Sequence, residues 1–224
     1  MVDTSVKGLP VMVFGASGAL GRGVATALVA AGAEVTGFDK VAPSEDARVG
    51  GVTYREADVT SDASVAAVFA GEPVWAVLNT IGGFAPHRPL AELDPAELTG
   101  QLTLNLLTAA LITKHALAAM AKSGSGRIVH TASRAGVVSK GNGFAYSVSK
   151  LGVLHLVSMA ADEVRGTGIT VNCVVPSIID TPANRAAMPN SDHAAWPKVP
   201  DIAQTYLYLA SPEANLVNGA ALPV

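Results

Sequence analysis

The strongest constraint on this chain is an alternation that runs along its whole length. Short apolar, β-branched runs are separated by Ala- and Leu-rich stretches of helical length. Pro10 to Phe14 reads as a first strand and Ala19 to Ala31 as a helix. Glu34 to Phe38 and Val52 to Glu56 read as strands, Ser61 to Ala70 as a helix capped by Thr60 or Ser61, and Val74 to Leu78 as a fourth strand. Asp94-Pro95 opens a long helix to about Ala121, with proline in the first turn, where an N–H would go unused. Arg127 to Thr131 is a strand, Phe144 to Arg165 a helix, Ile169 to Val175 a strand, Asp201 to Ala210 a helix and Ala220 to Val224 a last strand. Near-continuous apolar strands are the pattern of a parallel sheet covered by helices on both faces. With no internal repeat and no linker-like stretch, residues 1–224 are expected to form one α/β domain, a doubly wound parallel sheet of about seven strands.

A chain of 224 residues, half of them hydrophobic, can bury a core without disulfides or metals. Its net charge of −3 and lack of a dense Lys/Arg cluster argue against nucleic acid or an anionic membrane as partner. The apolar stretches are interrupted by polar residues or glycine, so no membrane span is expected. The N-terminus lacks the basic start and long apolar run of a signal peptide, and a cytoplasmic location is expected. Cys173, the single cysteine, fits a reducing compartment and reads as a small core side chain in a strand. The five histidines have no metal-ligand spacing, and no metal is expected. His87, between Pro86 and Arg88, reads as an exposed loop residue or as a border of the substrate cleft.

Between the first strand and its helix runs Gly15-Ala16-Ser17-Gly18-Ala19-Leu20-Gly21. Gly15 permits a tight turn, Gly18 lets backbone approach a pyrophosphate, and Gly21 lets helix and strand pack closely. The free N–H groups of the helix start, with Ser17, Ala19 and Leu20 around them, would face the phosphates. Asp39 ends the second strand about 20 residues further on, where a carboxylate accepts from a ribose 2′-hydroxyl and repels a 2′-phosphate. NAD(H) is therefore favoured over NADP(H), with Lys40 as a neighbour that softens the repulsion. Asp58 and Val59, after the third strand, are placed for an adenine ring; an exposed turn acid is the other reading of Asp58.

Tyr146 and Lys150 stand four apart on a predicted helix and share a face. An ammonium beside a phenol favours the phenolate, so the pair can exchange a proton with a carbonyl or alcohol oxygen near neutral pH. The spacing alone is common by chance. Here it follows, in order, the Gly-rich turn, Asn79-Thr80-Ile81-Gly82, Asn105 in the long helix, and Ser133, thirteen residues before Tyr146.

That ordered set resembles the short-chain dehydrogenase/reductase family over essentially the whole chain. The resemblance implies a Rossmann-type fold and a catalytic set of Asn105, Ser133, Tyr146 and Lys150. Ser133 would hold the substrate oxygen and Tyr146 would exchange the proton. Lys150 would bind the nicotinamide ribose, and Asn105 would hold a water linking Lys150 to solvent. Cofactor contacts would include Asn79, Ile81 and Gly82, and also Pro176, Ile179 and Thr181, which orient the carboxamide. A substrate lid is expected over about 181–199, with Phe84 and Trp196 in the pocket; anchoring the lid is the other reading of Trp196. The chain departs from the family at Phe14, Ala19, Thr80 and Ser177.

The turn and the segment Asp180 to Pro189 look like the dihydropteridine reductase branch, whereas Ser133 looks like the carbonyl and 3-oxoacyl reductases. Three functions follow: a carbonyl or alcohol oxidoreductase, a C=N reductase, or a dinucleotide sensor without turnover. The apolar helices around Asn105 and Tyr146, with Leu104, Leu107, Leu111, Leu151, Leu154 and Val157, are richer in leucine and valine than one buried face requires. A homodimer or homotetramer through them is expected.

Overall fold

The computed structural model describes residues 5–84, 89–138 and 143–224. Seven strands form one sheet: β1 (Pro10–Phe14), β2 (Glu34–Asp39), β3 (Val52–Glu56), β4 (Ala76–Asn79), β5 (Ser125–Thr131), β6 (Gly168–Val175) and β7 (Ala221–Pro223). Every pairing is parallel, in the order β3-β2-β1-β4-β5-β6-β7. The chain winds outward from β1 to β3 and returns to place β4 on the other side of β1. The direction of winding reverses there, and a crevice opens at the carboxyl ends of the strands, where open α/β sheets bind ligands. The doubly wound, seven-stranded fold expected from the alternation is the one observed.

Each face carries its own core. On one, α1 (Ala19–Ala30) and α7 (Val199–Ala210) pack Val24, Leu28, Ile202, Tyr206 and Leu209 onto Val11, Val13 and Leu78. On the other, α2 (Asp62–Phe69), α4 (Thr108–Met120) and α5 (Phe144–Glu163) pack Val65, Ile112, Met120, Val153 and Val157 onto Met12, Phe14 and Ile128. Alternate residues of β1 therefore serve opposite cores, which is why the strand is apolar throughout. Burying one such Val, Leu, Ile or Phe contributes about 1.5–3 kcal/mol.

The long helix is not uniform. α3 (Pro95–Gln101), capped by the Asp94 side chain on Ala96 N–H (2.8 Å), leads into a π-helical segment, Leu102–Leu107, before α4. Such wide turns insert an extra residue and often mark functional sites; Asn105 lies inside this one. The segment 181–199, where a substrate lid is expected, contains a short α6 (Pro182–Ala187) capped by Thr181.

Candidate active site

The turn from β1 to α1 is built by close backbone approach. Gly15 has φ +80° and donates its N–H to the Phe38 carbonyl (2.8 Å). A Cβ on Gly21 would lie 2.0 Å from the Gly15 oxygen, so only glycine lets α1 start this close. Gly18 caps α1 without a side chain, leaving the first helical N–H groups open to an anion. Ser17 Oγ is buried without a hydrogen-bond partner, as expected of a group reserved for a phosphate. The residues present thus fit a dinucleotide pyrophosphate.

Asp39 Oδ2 accepts from Ser17 N–H (2.7 Å), which ties the end of β2 to the turn and leaves Oδ1 for a ribose hydroxyl. Lys40 turns away from Asp39 to pair with Asp58 at 3.2 Å. Asp58 also accepts from Thr60 N–H and O–H, and these bonds, with Lys40, bring its carboxyl down to about 2. The Asp58 side chain is thus held within its turn, while Val59 packs, partly buried, against the core.

Ser133 follows β5 and caps a short turn, Arg134–Gly136, through Ala135 N–H (3.2 Å). That turn lies so close to α5 that a Cβ on Gly136 would sit 2.8 Å from Leu151 N. The packing sets the Ser133 hydroxyl near enough to the Tyr146 phenol to act on its titration. Burial raises the Tyr146 pKa and the Ser133 hydroxyl offsets part of the rise. Lys150, one turn along, is 3% exposed and donates to the Thr131 carbonyl (2.8 Å); burial brings its ammonium down to about 8. Lys150 has therefore lost its proton before the phenol releases its own. The sequence expectation that Lys150 draws Tyr146 toward neutrality is corrected: burial dominates and the shift is upward.

Asn105 is 1% exposed and its amide is fully engaged. Oδ1 accepts from Gly83 N–H (3.1 Å), while Nδ2 donates to Ser149 Oγ (3.0 Å) and Gln101 Oε1 (2.9 Å). It thereby ties the π segment to the loop after β4 and to α5 beside Lys150. A Cβ on Gly82 would stand 2.9 Å from Lys150 Nζ, so the loop closes over the lysine through glycine. Asn79 is buried; its Oδ1 accepts from Ile81 N–H (3.0 Å) and its Nδ2 lies 3.2 Å from His130 Nδ1. His130 Nε2 meets Thr113 Oγ1 (2.8 Å), whose proton goes to the Ala109 carbonyl. His130 is therefore protonated on Nε2 and accepts from Asn79. Burial holds it neutral, down to about 4. The Asn79 side chain shapes the Ile81–Gly82 turn.

Pro176 accepts Arg134 N–H (3.1 Å), which fixes the segment after β6 beside Ser133. Asn184 caps back onto Thr181 Oγ1 (3.1 Å) and donates to the Ile179 carbonyl (2.8 Å). Asp180, with 8% of its side chain exposed, holds both Arg185 and Lys198 and so joins the two ends of the lid. Those two cations, Arg185 before Lys198, keep its carboxyl far below the usual carboxylate range. Phe84 presents its ring edge-on to Tyr146 (5.4 Å, 70°), in keeping with a pocket wall. Trp196 is 8% exposed and packs on His193 at 4.5 Å. His87 lies outside the described residues.

Sequence reasoning missed Thr80, whose hydroxyl donates to the Phe14 carbonyl (2.8 Å) and braces the Gly15 turn. Its signal was the departure from the family pattern at that position. The Asp180 latch and Thr131 were also missed, since both act through contacts that no local pattern encodes.

A phosphate-binding turn at the winding reversal, beside a Ser–Tyr–Lys set, defines a dinucleotide-dependent oxidoreductase. The model of the family described as short chain dehydrogenase matches residues 10–192, and the chain belongs to that family. It is 35% identical to cis-4-hydroxycyclohexanecarboxylate dehydrogenase of Sinomonas cyclohexanicum, over 95% of this chain and 93% of the relative. It is 30% identical to a 3-oxoacyl-[acyl-carrier-protein] reductase of Salmonella typhimurium, over 98% and 97%. The crystal structure of levodione reductase superposes with a TM-score of 0.89 at 28% identity, over 97% of this chain and 96% of that one. The protein is an oxidoreductase that moves a hydride between a nicotinamide cofactor and a carbonyl or alcohol carbon.

Proposed function

We propose that this enzyme interconverts a cyclic secondary alcohol and its ketone with NAD(H), using Tyr146 as the proton-exchanging group. The observation that carries the reading is the placement of the Ser133 hydroxyl beside the Tyr146 phenol, one helical turn from Lys150. The nicotinamide supplies or accepts the hydride when bound. Ser133 holds the substrate oxygen beside the phenol, so that charge developing on that oxygen meets two hydroxyl donors. With its pKa raised, Tyr146 stays protonated at neutral pH and is suited to give its proton to a reduced ketone. Lys150, cationic below about 8, binds the ribose hydroxyls, and the Asn105 segment keeps it in place.

Asp39 favours NAD(H), because its negative charge is not offset by Lys40, which is engaged with Asp58. A cyclic substrate is supported by the flat wall of Phe84 against Tyr146 and by the hydroxycyclohexane ring named for the Sinomonas relative. Helix α5 exposes Leu151 and Met159, and the π segment exposes Leu107, which supports a homodimer or homotetramer through this face. A cytoplasmic location is consistent with the unpaired Cys173.

Oxidation of NADH and NADPH with cyclic ketones, 3-oxoacyl thioesters and quinonoid dihydropterin tests the reading. Turnover of a ketone that falls about a hundredfold in Ser133→Ala is the expected result. Near-normal Ser133→Ala turnover, on the pterin alone, would establish the C=N reading in its place.

A further inference from the structure

Lys150 is anchored by a carbonyl whose residue is gripped from the other side of the sheet. Thr131, the last residue of β5, accepts Lys150 Nζ on its backbone oxygen (2.8 Å). Its hydroxyl lies 2.7 Å from the Asn79 carbonyl oxygen and 2.6 Å from the Tyr206 phenol oxygen. A carbonyl can only accept, so Thr131 gives its proton to Asn79 and Tyr206 must donate to Thr131. The chain therefore runs one way, from Tyr206 O–H through Thr131 O–H to the Asn79 carbonyl. Tyr206 belongs to α7, is fully buried and sits in an apolar layer with Ile202, Ala203 and Leu209. Burial pushes its phenol far up, which keeps it a donor at every working pH. A buried hydroxyl in such a layer costs stability unless it is bonded, and Thr131 is its bond.

We propose that Tyr206 is a positioning residue for the reaction: by holding Thr131 at the end of β5, it aims the carbonyl that orients and charges Lys150. Tyr206 and Lys150 lie on opposite faces of the sheet, so the link passes through the strand end itself. A carbonyl aimed at Nζ favours ammonium over amine and opposes the effect of burial. Without the Tyr206 hydroxyl the Thr131 side chain is released on one side, the carbonyl is held less firmly, and the cationic form loses support. Among the described residues, the titratable groups around Lys150 are Tyr146 on α5, His130 on β5 and Cys173 on β6; the last two are cross-strand partners. His130 is neutral above about 4 and Cys173 keeps its proton to about 12, while Tyr146 is raised. Lys150 alone changes charge near 8.

The inference rests on the reading of Lys150 as the ribose-binding lysine, and the test separates the two. NADH binding to the full-length enzyme is followed by fluorescence from about pH 6.5 to about pH 9.5, with kcat/KM over the same range. Tyr206→Phe is expected to move the alkaline limb of both profiles down by about half a pH unit, with a several-fold fall in kcat/KM at pH 8. Thr131→Val should move it equally, the double variant no further, and Thr131→Ser should restore it. Ile202→Val, which loosens the same layer without touching the chain of hydroxyls, should lower Tm and leave the limb in place. An unmoved limb in Tyr206→Phe and Thr131→Val, or an equal movement in Ile202→Val, overturns the proposal. Should Tyr206→Phe fail to fold, Thr131→Val decides alone. Unchanged turnover in Lys150→Ala overturns the catalytic reading as a whole; lost turnover there with an unmoved Tyr206→Phe limb overturns only the positioning role.

Discussion

Asp180 holds Lys198, eighteen residues further along the chain, and with it closes the segment expected to act as a lid into a loop tied at its base. A backbone bridge between the same two residues reinforces the tie, and Arg185 from α6 shares the carboxylate. Asp180→Asn removes the charge that two cations face. The expected outcome is a KM for the organic substrate raised about tenfold, with kcat within about threefold of the parent, because the lid positions and does not react. Steady-state kinetics would show it. The folded carboxyl is depressed, so its stabilising effect is complete above the ordinary carboxylate range and is lost only as pH falls through the folded pKa. At neutral pH the latch is therefore insensitive to small changes in acidity.

Gly18 and Gly21 differ in what an added methyl group meets. At Gly18 the nearest atom to a new Cβ is 3.4 Å away, ordinary contact; at Gly21 the Gly15 oxygen is 2.0 Å away. Gly18→Ala should fold with an unchanged Tm and bind NADH at least about tenfold more weakly, since the methyl occupies the approach to the pyrophosphate. Gly21→Ala should lower Tm as well, because helix α1 must move off the turn. Thermal denaturation with and without NADH distinguishes the two.

Asp39→Asn keeps an acceptor for Ser17 N–H and removes the negative charge. Catalytic efficiency with NADPH relative to NADH should rise about tenfold or more, while Tm changes little. A ratio that stays put would assign the cofactor preference to some other group.

His130 is neutral in the fold and its pKa there is about 4, against an ordinary 6.5. Because the folded value is depressed, the unfolded chain takes up the proton first as pH falls. Stability is undiminished above about 6.5 and declines as pH drops toward about 4, by about 3 kcal/mol over that window. Urea denaturation at pH 7 and pH 5 measures the slope. His130→Gln should flatten it, even if it weakens the link to Asn79.

The residues that made the site legible are those whose chemistry is local. The bounds of β1 and β3 match the sequence expectation: β1 is apolar throughout and stops at Gly15, and β3 starts directly after Gly51, although only its first half is β-branched or aromatic. Tyr146 and Lys150 share a helix, so their spacing states their proximity. The wide turn around Asn105 was read as ordinary helix, because Leu102–Leu107 has helical composition and the partners that open it, Gly83 and Ser149, are remote in the chain. The direction of the Tyr146 shift was misread for a similar reason: spacing reports neighbours, and burial depends on everything else that packs there. Thr181-Pro182 did carry the cap and first-turn proline of α6, a local signal that went unused.

The bond from Thr80 to the Phe14 carbonyl joins positions 66 apart and braces the Gly15 turn. On the ribosome, the first strand, the turn and the helix after it emerge long before β4 exists to pair with β1. The cradle for the dinucleotide can therefore be formed early only as a loose element, and becomes rigid once more than a third of the polypeptide has been made. A nicotinamide dinucleotide therefore meets no rigid cradle on the nascent amino-terminal segment. It can stabilise only a chain whose central strands are already in place, so substitutions that slow the docking of β4 should reduce the yield of active protein even where the mature enzyme is unharmed.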